Sequence, residues 1–137
     1  MHESSRAILE DSEITLATLD LARYEVSNVA IRAWRTPDRV QSLLQAVDRI
    51  AEDGGVVEST TALLTQAAVL AEEHAISAYD AAYVAAAAQL GATLVSCDAR
   101  DLVGNGLASS PADVPDPRSD QPEPSVEGQG ETGVGEQ

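Results

Sequence analysis

The stretch from Ser77 to Asp98 constrains this chain more than any other. Residues 78–90 are alanine-dense, alanine is the strongest helix former, and Gly91 closes the run. Thr93-Leu94-Val95-Ser96-Cys97 follows, a short apolar run ended by Asp98, and it reads as the best strand in the chain. Small alanine side chains allow close approach of a helix to a sheet or to another helix. The other segments continue the alternation. Residues 3–11 read as helix. Ile14-Thr15-Leu16-Ala17-Thr18 reads as a short strand by its β-branched content. Asp20 is placed to cap a helix that runs to Trp34 or Arg35, where Thr36-Pro37 stops it.

Residues 38–53 carry an apolar stripe at Val40, Leu43, Leu44, Val47, Ile50 and Ala51, a helical spacing that Gly54-Gly55 ends. Val56-Val57 suits a very short strand. Thr60 to His74 reads as a helix, and residues 99–103 as a short one before Gly104-Asn105-Gly106. Helices alternating with short buried strands predict an α/β layer fold with a mostly parallel sheet.

Charge divides the chain. Of 137 residues, 23 are acidic and 8 basic, a formal net charge of −15. Every cation is arginine. From Pro111 onwards the sequence is rich in Pro, Gly, Ser, Glu and Asp, which cannot bury enough apolar surface to offset ordering entropy. Residues 111–137 are therefore expected to be a disordered acidic tail, and residues 1–110 one folded domain. The body is acidic as well. Self-repulsion of that kind destabilises a fold at low salt, and at about 1 M salt the Debye length of about 3 Å screens it. Carboxylates in excess, arginine without lysine and abundant alanine resemble halophilic proteins of a high-salt cytoplasm.

Other classes are excluded. No apolar run nears the ~18 residues of a membrane span, and the start has no signal-peptide pattern, so a cytoplasmic protein is expected. The single Cys97 excludes an internal disulfide and a cysteine-based zinc cluster, and it suits a buried position in its strand. No basic footprint supports generic nucleic-acid binding by charge, and DNA is not an expected partner. Phosphate-binding glycine loops and the Gly-x-Ser-x-Gly elbow are absent.

Three acids stand out. Glu25 lies on a helix just after a strand. Asp80 opens a helix otherwise made of Ala, Val and Tyr. Asp98 follows a strand directly. In open α/β sheets, ligands bind outside the carboxyl ends of the strands. Acids converging there could hold a hard cation such as Mg²⁺, which prefers oxygen ligands. Each acid also has a local reading: Ser77 to Asp80 is a capping box, Asp98 can cap the next short helix, and Glu25 can be a solvated helix residue.

The segments Leu21-Ala22-Arg23-Tyr24-Glu25-Val26-Ser27-Asn28, Ile76-Ser77-Ala78-Tyr79-Asp80-Ala81-Ala82-Tyr83 and Leu94-Val95-Ser96-Cys97-Asp98-Ala99-Arg100 together resemble the PIN domain, and within it the VapC-type toxin ribonucleases of toxin–antitoxin pairs. The resemblance covers about residues 3–103. It implies a three-layer α/β/α sandwich around a short, mostly parallel sheet, and Mg²⁺- or Mn²⁺-dependent cleavage of single-stranded RNA. It implies Glu25, Asp80 and Asp98 as metal-site acids, with Ser96 and Asn28 beside them. It also implies a homodimer and a cognate antitoxin that covers the cleft.

Arg23 and Arg100, each near a proposed acid, are the expected RNA contacts. Arg32, Arg35 and Arg39 are expected to form surface ion pairs, Trp34 to pack at the helix end or a dimer contact, and Tyr79 and Tyr83 to pack their helix. One departure stands out. The family opens with a strand ending in Asp, and here that first strand, its acid and the first helix have no counterpart. Asp11 and Asp20 are poor substitutes, since neither follows an apolar strand. Two explanations are expected to compete: a reading frame truncated at its start, or a degenerate relative with weakened or no catalysis. The rival reading of function is a catalytically inactive remnant that acts by binding, for instance by titrating an antitoxin.

Overall fold

The computed structural model describes residues 2–114. Within them the chain forms five helices and two very short strands: α1 (His2–Glu10), β1 (Thr18–Leu19), α2 (Leu21–Asn28), α3 (Val40–Ile50), β2 (Val56–Val57), α4 (Thr61–His74) and α5 (Ala78–Leu90). β1 and β2 pair in parallel, with Thr18 opposite Val56 and Leu19 opposite Val57. A second parallel contact joins Val95 to Ser109. The architecture is a mostly helical α/β arrangement with parallel strands, consistent with a PIN-like fold.

The α4–α5 pair makes the core. Thr60 caps α4 by accepting the Leu63 N–H at 3.1 Å. Ser77 caps α5 by accepting the Asp80 N–H at 3.1 Å. Ala75 and Gly91 close these helices in the left-handed conformation. Leu63 and Ala67 of α4 bury against Ala81, Ala82, Ala85 and Ala86 of α5, with Leu19, Val57, Ile76 and Leu102 filling the rest. Leu19 is the largest side chain withdrawn fully from solvent. Methyl side chains on one helix let its neighbours come close, which is how a chain without phenylalanine closes a core.

Gly54 sets the strand pairing. A Cβ there would collide with the Leu16 carbonyl. Its absence lets the chain before β1 lie against this turn, and the Thr18 N–H then reaches the Gly55 carbonyl at 3.1 Å. Glycine is needed here for close approach; α3 itself has already ended at Ile50 with Ala51 as its C-cap, earlier than the expected stop at Gly54-Gly55.

Several expectations change. The strand expected over 14–18 narrows to Thr18–Leu19, and Thr93–Cys97 pairs only at Val95, because neither run has a neighbouring strand along its whole length. The helix from Asp20 loosens after Asn28 into a π-turn, Val29–Ala33, in which the Trp34 N–H reaches back to the Val29 carbonyl at 3.1 Å. Residues 99–103 form a second π-turn. Cys97 is exposed, since its segment is paired on one side only. The apolar stripe of α3 buries no residue fully. Tyr79 and Trp34 are also exposed. Of the segment expected to be a disordered tail, Pro111–Asp113 form a 3₁₀ turn against α1 with Pro111 buried. Residues 115–137 lie outside the described residues.

Candidate active site

Local hydrogen bonds bring three aspartates together. Asp80 stands in the first turn of α5, its N–H held by the Ser77 cap. Asp98 ends the segment that pairs with Ser109, where the Ser96 N–H donates to the Ser109 carbonyl at 3.0 Å. The Ser96 hydroxyl oxygen accepts the Asp98 N–H at 3.0 Å and tightens the exit from the strand. Asp98 Oδ1 then accepts the N–H groups of Arg100 at 3.2 Å and Asp101 at 2.9 Å. That cap turns the chain so that the Asp101 carboxylate comes back beside Asp98. One oxygen from each of Asp80, Asp98 and Asp101 lies within 4.8 Å of the others, and all three residues are half-buried.

This donor set fits a hard cation. Oxygen ligands near 2.0–2.1 Å in an octahedron stand up to about 4.2 Å apart, so carboxylates at this separation reach one ion with small side-chain adjustments. Half-burial leaves room for the waters that Mg²⁺ keeps. The local and functional readings of Asp98 coexist, because capping engages one carboxylate oxygen and leaves the other.

Glu25 sits outside the trio. It is exposed on α2, and its Oε1 accepts a hydrogen bond from the Tyr83 hydroxyl at 2.5 Å. Tyr83 lies on α5 one turn after Asp80, so Glu25 is tied to the neighbourhood of the aspartates through that hydroxyl. The Tyr83 hydroxyl is pushed well above the usual tyrosine value, first by burial, then by its bond to Glu25 and by the charges of Glu25, Asp20 and Asp80. Tyr83 therefore bonds between helices as well as packing its own.

Asp20 follows β1 directly, contrary to the expectation that no apolar strand precedes it. The pairing of Thr18–Leu19 with β2 creates that strand end. Its carboxylate accepts from the Ser59 N–H at 2.9 Å and from the Ser59 hydroxyl. Burial alone would raise its pKa, but the Ser59 hydroxyl and the N–H groups of Ser59 and Leu21 hold it below the usual value. Two donors from Ser59 commit Asp20 to joining the ends of β1 and β2.

The remaining expected residues divide. Asn28 ends α2, exposed, with no hydrogen bond to the trio. Arg23 pairs with Asp48 of α3. Arg100 is 94% exposed and lies 3.6 Å from Asp101. Arg32, Arg35 and Arg39 are exposed and make none of the ion pairs found among the described residues. Asp101 was missing from the sequence expectation. Its signal is the three-residue step from Asp98, which a helix-capping turn brings onto one side.

Residues 1–102 match the PIN domain family. The chain belongs to this family. It is similar to the ribonuclease VapC3 of Pyrobaculum aerophilum, with 35% identity over 100 residues that cover 70% of this chain and 74% of that protein. The PIN-domain match contains Glu25, Asp80, Asp98 and Asp101 alike. Among the described residues, no helix is long and apolar enough to cross a membrane.

Proposed function

We propose that this PIN domain is a metal-dependent ribonuclease of the VapC toxin type that hydrolyses phosphodiester bonds of single-stranded RNA. The convergence of Asp80, Asp98 and Asp101 in a chain of this family carries the reading. Bound Mg²⁺ or Mn²⁺ supplies Lewis acidity and an oriented water at such a site. Asp80, Asp98 and Asp101 hold the cation, and Glu25 adds a fourth carboxylate from α2. The Asp98 carboxylate is fixed in advance by the N–H groups of Arg100 and Asp101, so little of its side-chain entropy is lost on binding. Ser96 keeps Asp98 at the strand exit, and Asn28 offers a hydrogen bond to substrate from the end of α2.

Arg100, exposed beside Asp101, is the better phosphate contact, since guanidinium suits phosphate geometry. Arg23 would have to leave Asp48 to serve in the same way. The two parallel strand pairs belong to one short sheet between helical layers, the three-layer sandwich of the resemblance. Partners are single-stranded RNA, a cognate antitoxin, and a second copy of the chain. Exposed Ile31 and Trp34 support the last.

Cleavage of single-stranded RNA with Mn²⁺ in molar KCl tests this reading. Loss of an outer-shell partner typically costs 10–100-fold, so Asp80→Asn or Asp98→Asn should each lower the rate by about 100-fold or more. Activity unchanged by both substitutions would sink the site. Mn²⁺ binding without any cleavage by the wild type would favour a remnant that acts by binding.

A further inference from the structure

We propose that Tyr83 is a positioning residue of the metal site, holding the Glu25 carboxylate beside the aspartate cluster from the neighbouring helix. This deepens the metal-site reading and rests on it. The need for such a residue follows from how α2 is anchored. α2 packs against α3 and buries no residue fully, and its first residue, Leu21, is the one that packs against the core. Glu25 stands one turn further on and is exposed. A glutamate in that position samples many rotamers when unrestrained, and ordering it costs side-chain entropy. By contrast, the Asp98 carboxylate is already held by the N–H groups of its own turn, and Asp80 has its backbone fixed by the Ser77 cap.

Tyr83 supplies what α2 lacks. Its ring is half-buried and packs against the core cluster, so the hydroxyl projects from a fixed base. The 2.5 Å bond to Glu25 Oε1 has the length of a charge-assisted O–H···O⁻ contact. Tyr83 and Asp80 are three residues apart on α5 and share a face, and the charges of Glu25 and Asp80 both act on the Tyr83 hydroxyl, with Glu25 outside the 4.8 Å aspartate cluster. The hydroxyl engages one oxygen of Glu25, which leaves a second for a cation. This is the logic of outer-shell groups that orient a metal ligand without touching the metal.

Isothermal titration of the protein with Mn²⁺, with no RNA present, gives the test. Tyr83→Phe removes the hydroxyl and keeps the ring. It should weaken Mn²⁺ binding about 10-fold. Glu25→Ala should weaken it at least as much, and Tyr83→Phe should add little in the Glu25→Ala background, as expected of groups that act as one unit. Glu25 is exposed, so its variant does not disturb the core and keeps the test decisive if Tyr83→Phe folds poorly. Mn²⁺ affinity unchanged in Tyr83→Phe, or unchanged in Glu25→Ala, would overturn the positioning role even if thermal stability falls. Asp98→Asn separates the two levels. If it abolishes binding while Tyr83→Phe does not weaken it, only the role of Tyr83 fails. If the wild type does not bind Mn²⁺, or Asp98→Asn binds as the wild type does, the metal site itself fails and Tyr83 with it.

Discussion

The α4–α5 side and the α2–α3 side use apolar residues in opposite ways. Apolar residues on α5 are spread widely around the helix, and Ala81, Ala82, Ala85 and Ala86 are all buried. α3 has the cleaner apolar stripe, yet it buries no residue fully, and neither does α2. Past α2, Ile31 is 50% and Trp34 53% exposed. Clear sidedness shows that a face needs covering; it does not show that the same chain supplies the cover. The α4–α5 side is held by burial, and the α2–α3 side by a few specific bonds, Arg23 to Asp48 and Tyr83 to Glu25 among them.

The largest effect should come from cutting into the first side. Leu19→Ala removes a fully buried side chain from the junction of β1 and the α4–α5 core. The lost transfer energy and the cavity left behind together predict a cost of about 2–5 kcal/mol. Leu44→Ala, on the half-buried stripe of α3, should cost about 1 kcal/mol, because much of that side chain already meets water. Urea denaturation of both variants measures the contrast. Equal losses would mean that the α2–α3 side is as much a core as the other.

Ser59→Ala should have a middling effect, and one that depends on pH. The Ser59 hydroxyl donates to the Asp20 carboxylate, joining the ends of β1 and β2. Because Asp20 titrates below its usual value in the fold, its contribution is present above the unfolded carboxylate pKa of about 3.9 and is lost as pH falls through the folded value. A hydrogen bond to a charged group contributes about 1.5–3 kcal/mol, so Ser59→Ala should be less stable by roughly that amount at pH 7. The gap between variant and wild type should close below about pH 4. Melting curves at pH 7, 5 and 3 follow it, and a gap constant over that range would assign the loss to packing.

The sequence was informative where one local rule decides. Thr60, Ser77 and Asp98 mark the starts of their helices and turns by side-chain chemistry, Gly91 marks a helix end by its backbone freedom, and each does so in the structure. It was less informative where a partner decides. A strand exists only when a neighbour completes its ladder, so β-branched content over 14–18 overestimated a strand that pairs at two residues. Cys97 looked apolar enough to bury but lies where pairing is one-sided. Within the candidate site, Asp80 and Asp98 could be read because each sits at an element end that sequence marks. Asp101 and Tyr83 could not, since their roles come from a turn and an interhelical bond that appear only once the chain is folded.

Trp34→Ser should change monomer stability least and still be the sharpest test of the comparison. Trp34 follows the π-turn and is half exposed, so its loss should shift unfolding free energy by no more than about 0.5 kcal/mol. If a second copy of the chain covers the α2–α3 side, however, tryptophan is among the residues that dominate such contacts. A standard interface buries about 800 Å² per partner, and removing one aromatic anchor from it can cost 2 kcal/mol or more in association. Sedimentation at micromolar concentration in molar KCl should then show a dimer for the wild type and a monomer for Trp34→Ser, with nearly coincident melting at low concentration. A monomer in both cases would leave the α2–α3 side uncovered by its own kind, and its apolar surface would be reserved for a different partner. A dimer in both would place the interface elsewhere, with Trp34 outside it. The two measurements together separate what the fold needs from what an assembly needs, the distinction that the unburied stripe of α3 raises.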